Sequence, residues 1–173
     1  NPVKNIILPK TNKPLPVFYK QSEMDEVLKV EAGIDMDFET ERDRLILSLF
    51  YQTGLRLSEL SNLDDSDVNL DAEQLKVVGK RNKERIVPLG QEICKEIKTY
   101  QLHRNNMVEL QGNWLFVLKN GKKMYNKAIY NIVHRKMSEV STLKKQSPHV
   151  LRHTFATTLL NNGADINAVK NLL

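Results

Sequence analysis

The periodicity of the chain changes once. Between Asp67 and Leu89 apolar residues recur at every second position, while on either side they recur at helical spacing. Three short strands are expected in that interval, Asp67–Leu70, Gln74–Gly79 and Glu84–Leu89. In the second, Leu75 and Val77 alternate with Lys76 and Val78; in the third the apolar positions are Ile86 and then Pro88. Gly79-Lys80-Arg81-Asn82-Lys83 has the composition of a hairpin turn, so the last two strands pair antiparallel. So small a sheet cannot build a core alone. The expected fold class is α+β and mainly α, with a three-stranded antiparallel sheet at one edge of a helical body.

That body centres on a helix from Phe38 to Gln52, whose charged first half gives way to Leu45-Ile46-Leu47-Ser48-Leu49-Phe50-Tyr51, an apolar run wide enough for the central buried helix. Thr53-Gly54 breaks it, and a short helix from Arg56 to Leu63 turns Leu57, Leu60 and Leu63 inward. Upstream, Gln21–Ala32 is helical, with Ser22 as its cap and Met24, Val27 and Leu28 inward. Downstream, Gln91–Leu110 carries Ile93, Ile97, Tyr100 and Met107 toward the core, and Lys127–Val140 carries Ile129, Ile132, Val133 and Met137. Trp114–Val117 reads as a short buried strand or turn and Asn120-Gly121 as a turn; Asp165 caps a last helix over Ala164–Leu173. The 173 residues, 40% of them apolar, suffice for one domain with a proper core. Four of the six prolines fall by Pro16, which is linker composition. The expected organisation is an interdomain linker over 1–17 and one domain over 18–173. The opening Asn1-Pro2 and the unfinished helical pattern at Asn171-Leu172-Leu173 lead to the expectation of a fragment of a longer protein.

A helix from Pro148 to Leu160 has a marked start and a reactive face. Ser147 can cap its first N–H groups, and Pro148 suits the first position. Leu151, Phe155 and Leu159 form an inward stripe at four-residue spacing. His149 and Arg152 share a neighbouring face in the first two turns, where free N–H groups and the positive end of the helix favour a phosphate. An imidazole that moves a proton beside a guanidinium that forks onto two oxygens suits phosphoryl chemistry. Alone, His-x-x-Arg is also an ordinary pair on a solvated helix end. Arg56 opens a helix against the preference of the dipole, either as a surface residue paired with Glu59 or as a phosphate contact. Lys76, Lys80, Arg81, Lys83 and Arg85 make the hairpin the strongest local positive patch, although a charged edge that guards against aggregation would look the same. Lys144-Lys145 adds positive charge just before the His-x-x-Arg helix. The net charge of +5, from 26 basic and 21 acidic residues, does not by itself identify a nucleic-acid binder; its placement matters more.

Taken in order, Thr53-Gly54-Leu55-Arg56-Leu57-Ser58-Glu59-Leu60, then Gly79-Lys80-Arg81-Asn82-Lys83-Glu84-Arg85, then Ser147-Pro148-His149-Val150-Leu151-Arg152-His153-Thr154-Phe155-Ala156 resemble the boxes of the tyrosine recombinases, especially the Xer-like ones. Leu159-Leu160-Asn161-Asn162-Gly163-Ala164-Asp165 extends the resemblance, which runs from Leu15-Pro16 to Leu173. Arg81 stands where Xer-like sequences often have Gly. The resemblance implies site-specific DNA recombination: a tyrosine attacks the scissile phosphate, leaving a 3′-phosphotyrosyl link and a hydroxyl that attacks another strand. Arg56 and Arg152 would clamp the non-bridging oxygens, Lys80 would protonate the leaving oxygen, and His149 would assist proton transfer; His153 is structural. Arg81, Lys83, Arg85, Lys144 and Lys145 would contact DNA. The partners implied are double-stranded DNA and other recombinase protomers in a tetrameric synapse, in the cytoplasm at the nucleoid, with no metal and no cofactor. The family's last box, Gly-His and later the nucleophilic Tyr, would begin beyond Leu173. Tyr19, Tyr51, Tyr100, Tyr125 and Tyr130 all precede the His-x-x-Arg box, so the fragment is expected to bind DNA without cleaving it.

Other classes fit less of the sequence. A type IB topoisomerase performs the same cleavage without strand exchange, and the Xer-like wording speaks against it. A non-catalytic DNA-binding module would need only a groove-reading helix bearing Arg152, not the ordered Arg–Lys–His–Arg set. A metal-dependent nuclease would need grouped carboxylates, and no such grouping is recognisable. The single cysteine, Cys94, allows no intrachain disulfide, and the four histidines show no ligand spacing. No signal peptide and no apolar run of membrane-spanning length is visible.

Overall fold

The computed structural model describes residues 17–29, 37–79 and 82–172. Its elements are α1 (Gln21–Leu28), α2 (Phe38–Thr53), α3 (Leu57–Ser61), β1 (Val68–Asn69), β2 (Gln74–Val78), β3 (Glu84–Pro88), α4 (Gln91–Met107), α5 (Asn126–Val140), α6 (Pro148–Asn161) and α7 (Ile166–Leu172). The fold is mainly helical with one small antiparallel sheet, as its single change of period requires. The linker expected over 1–17 lies, apart from Val17, outside the described residues.

Helix α2 is the axis. Asp37 caps it by accepting from the Thr40 N–H at 2.8 Å, and Gly54 ends it in the left-handed conformation, φ 61°, that a side chain would disfavour. Leu45, Ile46, Leu47, Leu49 and Phe50 are all buried, because α2 packs against α1, α4, α5 and α6 together. Ile129, Ile132, Val133 and Met137 of α5 enter the same core, as their spacing predicts.

The sheet has the order β1-β2-β3, with Val68 opposite Leu75, Val77 opposite Arg85 and Lys76 opposite Ile86. This register reverses the expected faces of β3. Val87 is 2% exposed and Ile86 54%, so Val87 and Arg85 point inward while Ile86 and Pro88 point to solvent. In a strand a shift of one position turns every side chain over, and the Val87 signal is the one that holds.

Other boundaries also move. Helix α1 stops at Leu28, and the Lys20 N–H is satisfied by the Glu23 carboxylate at 2.7 Å rather than through Ser22. Helix α4 stops at Met107, which is 65% exposed; the inward position after Tyr100 belongs to Arg104. Arg104 is wholly buried and donates to Asp65 at 2.7 Å and to the carbonyls of Trp114 and Leu115 at 2.9 and 2.8 Å, so its charge is matched. Trp114 and Val117 make single bridges to Asp64 and Lys123 rather than a strand. Among the described residues no helix is long and apolar enough to cross a membrane.

Candidate active site

Helix α6 is fixed from both sides at its start. Val150, Leu151, Thr154 and Phe155 are buried; Leu159, expected to complete the stripe, is only half-buried. Ser147 occupies the cap position, yet its Oγ makes no hydrogen bond among the described residues. Tyr19 is the anchor instead. Its hydroxyl accepts from the Ser147 N–H at 3.2 Å, and its own N–H donates to Thr154 Oγ1 at 2.9 Å, joining the segment before α1 to two turns of α6.

Pro148 and Leu151 thus face the core, and the neighbouring side of α6 presents His149 and Arg152. His149 is exposed, and Arg152 is half-buried. The Arg152 guanidinium donates to the carbonyl of Gly54, the residue whose left-handed turn ends α2. Arg56 follows two residues later in extended conformation at the cap of α3, one position earlier than the first helical turn expected for it. The helix break that is needed to end α2 therefore also sets two arginines side by side.

Beside Arg56 lies a buried carboxylate. Glu59, with its side chain 2% exposed, accepts from the Arg56 N–H and from Arg56 Nη1, each at 2.8 Å. Arg85 closes the other side with a two-pronged bond, Nη1 to Oε1 at 2.8 Å and Nη2 to Oε2 at 3.0 Å. Burial pushes the Glu59 carboxyl up, but the bonds from Arg85 and Arg56 outweigh burial and hold it down at about 2. Arg152 is affected in the reverse sense: burial, then the charges of Arg56 and Arg85, bring its guanidinium down to about 10, with Glu59 opposing them. Two guanidiniums, of Arg56 and Arg85, bond one carboxylate and a third, of Arg152, lies near enough to feel their charges, so the cluster carries a surplus of positive charge that suits an oxyanion.

The phage integrase family profile matches residues 20–173. The chain belongs to the phage integrase family. It is 38% identical over 173 residues to the tyrosine recombinase XerC of Shewanella sp. strain ANA-3, covering 100% of this chain and 56% of that protein. It is 36% identical over 174 residues to the tyrosine recombinase XerC of Staphylococcus aureus strain USA300 / TCH1516, covering 100% of this chain and 57% of that one. Among solved structures it resembles XerA recombinase, with a TM-score of 0.81 and 30% identity over 92% of this chain and 56% of that one. It also resembles the XerH site-specific recombinase bound to difH substrate in a pre-cleavage complex, with a TM-score of 0.79 and 26% identity over 98% of this chain and 50% of that one. The chain spans about half the length of these relatives.

Within this integrase-family fold, the boxes expected to meet do so for Arg56 and Arg152. Lys80 and Arg81 lie outside the described residues, but Gly79 beside them does not: a β-carbon there would sit 3.5 Å from Glu59 Oε1 and 3.8 Å from Arg85 Nη1. Lys83 is exposed on the hairpin, and Lys144 and Lys145 are exposed in the loop before α6. Arg85 is placed otherwise than expected. Its guanidinium is turned inward onto Glu59, because β3 presents it on the Val87 face. Glu59 is the site residue that sequence reasoning passed over as a mere surface partner; its only signal is a carboxylate one helical turn after Arg56. Among the described residues no group of His, Cys, Asp and Glu gathers as metal ligands do.

Proposed function

We propose that this chain is the catalytic domain of an Xer-type tyrosine recombinase that performs site-specific recombination of double-stranded DNA through a 3′-phosphotyrosyl intermediate. The observation that carries the reading is the joining of Arg56 and Arg152, from boxes far apart in sequence, in one positively charged cluster around Glu59. Likeness to the XerH site-specific recombinase, whose structure holds it bound to difH substrate, supports DNA as the partner.

On this reading the attacking tyrosine oxygen forms a bond to phosphorus while the bond to the 5′ oxygen breaks. Arg56 and Arg152 hold the two non-bridging oxygens and oppose the extra charge of the five-coordinate transition state. Lys80 gives its proton to the departing 5′ oxygen, and His149 assists proton transfer around the nucleophile. Lys83, Arg81, Lys144 and Lys145 meet the DNA backbone. Residues 1–17 serve as an interdomain linker, and the assembled protein works as a tetramer of protomers on the chromosome in the cytoplasm, without metal or cofactor.

The test is a full-length protein carrying this domain, offered a nicked suicide substrate. It should form a covalent adduct. Arg152→Ala should leave DNA affinity largely intact and lower cleavage by roughly two to three orders of magnitude, because the guanidinium serves the transition state more than the bound phosphate. No adduct from the unaltered protein, or undiminished cleavage by the variant, would refute the reading.

A further inference from the structure

We propose that Arg85 is a positioning residue that acts through Glu59 to hold Arg56 where it meets the scissile phosphate. The inference rests on the recombinase reading, and it takes Arg85 out of the set of DNA contacts.

The three side chains are ordered by depth. Glu59 is 2% exposed, Arg85 22% and Arg56 40%, so the carboxylate is the inner member and Arg56 the one most open to solvent. Arg85 reaches Glu59 from a fixed base. It lies opposite Val77 in the ladder and two residues before Val87, and both valines are buried, so the core pins the strand from which its guanidinium extends. Its terminal nitrogens take one carboxylate oxygen each, Oε1 at 2.8 Å and Oε2 at 3.0 Å. Such a fork sets the plane of the carboxylate as a single bond would not. Its Nε is buried with no hydrogen-bond partner among the described residues, so the fork is kept at the cost of one donor.

Arg56 is held by the same two oxygens. Oε1 accepts from its Nη1 and Oε2 from its backbone N–H, each at 2.8 Å, so the plane of Glu59 fixes both the backbone and the guanidinium of Arg56. The charges argue the same way. Against Glu59 alone, Arg56 would form a one-to-one pair with little attraction left for an anion. With Arg85 forked onto that carboxylate, the three groups carry one net positive charge, and Arg56 is the outermost of them.

The experiment uses the full-length protein and single-turnover cleavage of a nicked suicide substrate at saturating DNA, with DNA affinity measured alongside. Arg85→Ala should cleave about a hundredfold more slowly, the loss expected when a clamp shifts by about an ångström, and should bind DNA as the unaltered protein does. Arg85→Lys keeps the charge and loses the fork, so it should lose only about tenfold, the worth of about one charge-assisted hydrogen bond. It carries the test alone if Arg85→Ala melts at working temperature. The decisive variant is Arg56→Ala, Arg85→Lys, in which Glu59 keeps a cation beside it. It should cleave no more slowly than Arg56→Ala alone, because Arg85 has nothing to position once Arg56 is gone. A further tenfold loss in that double variant would mean that Arg85 acts on cleavage by another route, and would overturn the proposal. Weaker DNA binding with cleavage at saturation unchanged would make Arg85 a phosphate contact and overturn it too, as would full-rate cleavage by both single Arg85 variants. Failure of the recombinase reading would show separately, as absence of cleavage by the unaltered protein.

Discussion

Glu59 keeps a negative charge almost out of water, and the compensation for doing so is visible in its acidity. Burial raises the carboxyl, yet the bonds from Arg85 and Arg56 outweigh it and the group titrates at about 2, below its ordinary 4.5. The folded state therefore binds the proton less readily than the unfolded chain. The resulting stability is fully present above pH 4.5 and is lost as pH falls through about 2. Its size is on the order of 3 kcal/mol. Glu59→Gln keeps the shape and removes the charge, so it should lower the melting temperature at pH 7 by several degrees, with the difference closing as the pH is taken toward 2. Melting curves across that range decide the matter; an equal deficit at every pH would mean that packing rather than charge holds the cluster. In the sequence, the Arg56–Glu59 pair stands as a bland alternative to phosphate contact. The structure sets that pair inside a cluster of arginines that stays positive as a whole, so the pairing does not remove the charge a phosphate would meet.

Helix α6 illustrates how much an element owes to residues far from it in sequence. The Pro148 start and the Leu151–Phe155 stripe were legible, since local preference and period both point to them. The anchor at Tyr19 was not, because nothing in a tyrosine beside a proline-rich stretch names the Ser147 N–H as its partner. Tyr19→Phe should leave that N–H buried without an acceptor and cost about 1–2 kcal/mol, read as a shift in denaturant midpoint; no shift would mean that α6 is held by its apolar face alone. The same division runs through the sheet. Its existence and pairing follow from the period, but the face of β3 does not, since Ile86 and Pro88 on one side and Val87 on the other compete in so short a strand. That ambiguity is why Arg85 reads from sequence as one more basic residue on a basic hairpin. Arg104 on α4 fails to read for a related reason: a charged residue at an inward position looks like the end of a stripe until its acceptors, the Asp65 carboxylate and the Trp114 and Leu115 carbonyls, are brought to it by the rest of the fold.

For the whole molecule the question is which of its charges can meet DNA. The net charge is +5, but several cations are paired internally: Arg85 with Glu59, Arg104 with Asp65, Arg44 with Glu96. Lys83, Lys144 and Lys145 are exposed, the last two just before the helix that bears His149 and Arg152. If these lysines lie along the DNA backbone, each neutralised phosphate contributes a slope of about −0.9 in log K against log salt. The 173-residue chain should therefore bind duplex DNA with little regard for sequence, in roughly the 10⁻⁴–10⁻⁶ M range of non-specific complexes at physiological salt. Lys144→Ala and Lys145→Ala should each flatten the salt slope by about 0.9 and weaken binding equally on unrelated sequences. Arg85→Ala should leave the slope where it was, since its guanidinium faces a carboxylate and not a phosphate. Equilibrium binding at four or five salt concentrations separates these outcomes. A slope that falls with Arg85→Ala would place that residue on the DNA, and one that ignores both lysines would move the DNA path away from the start of α6.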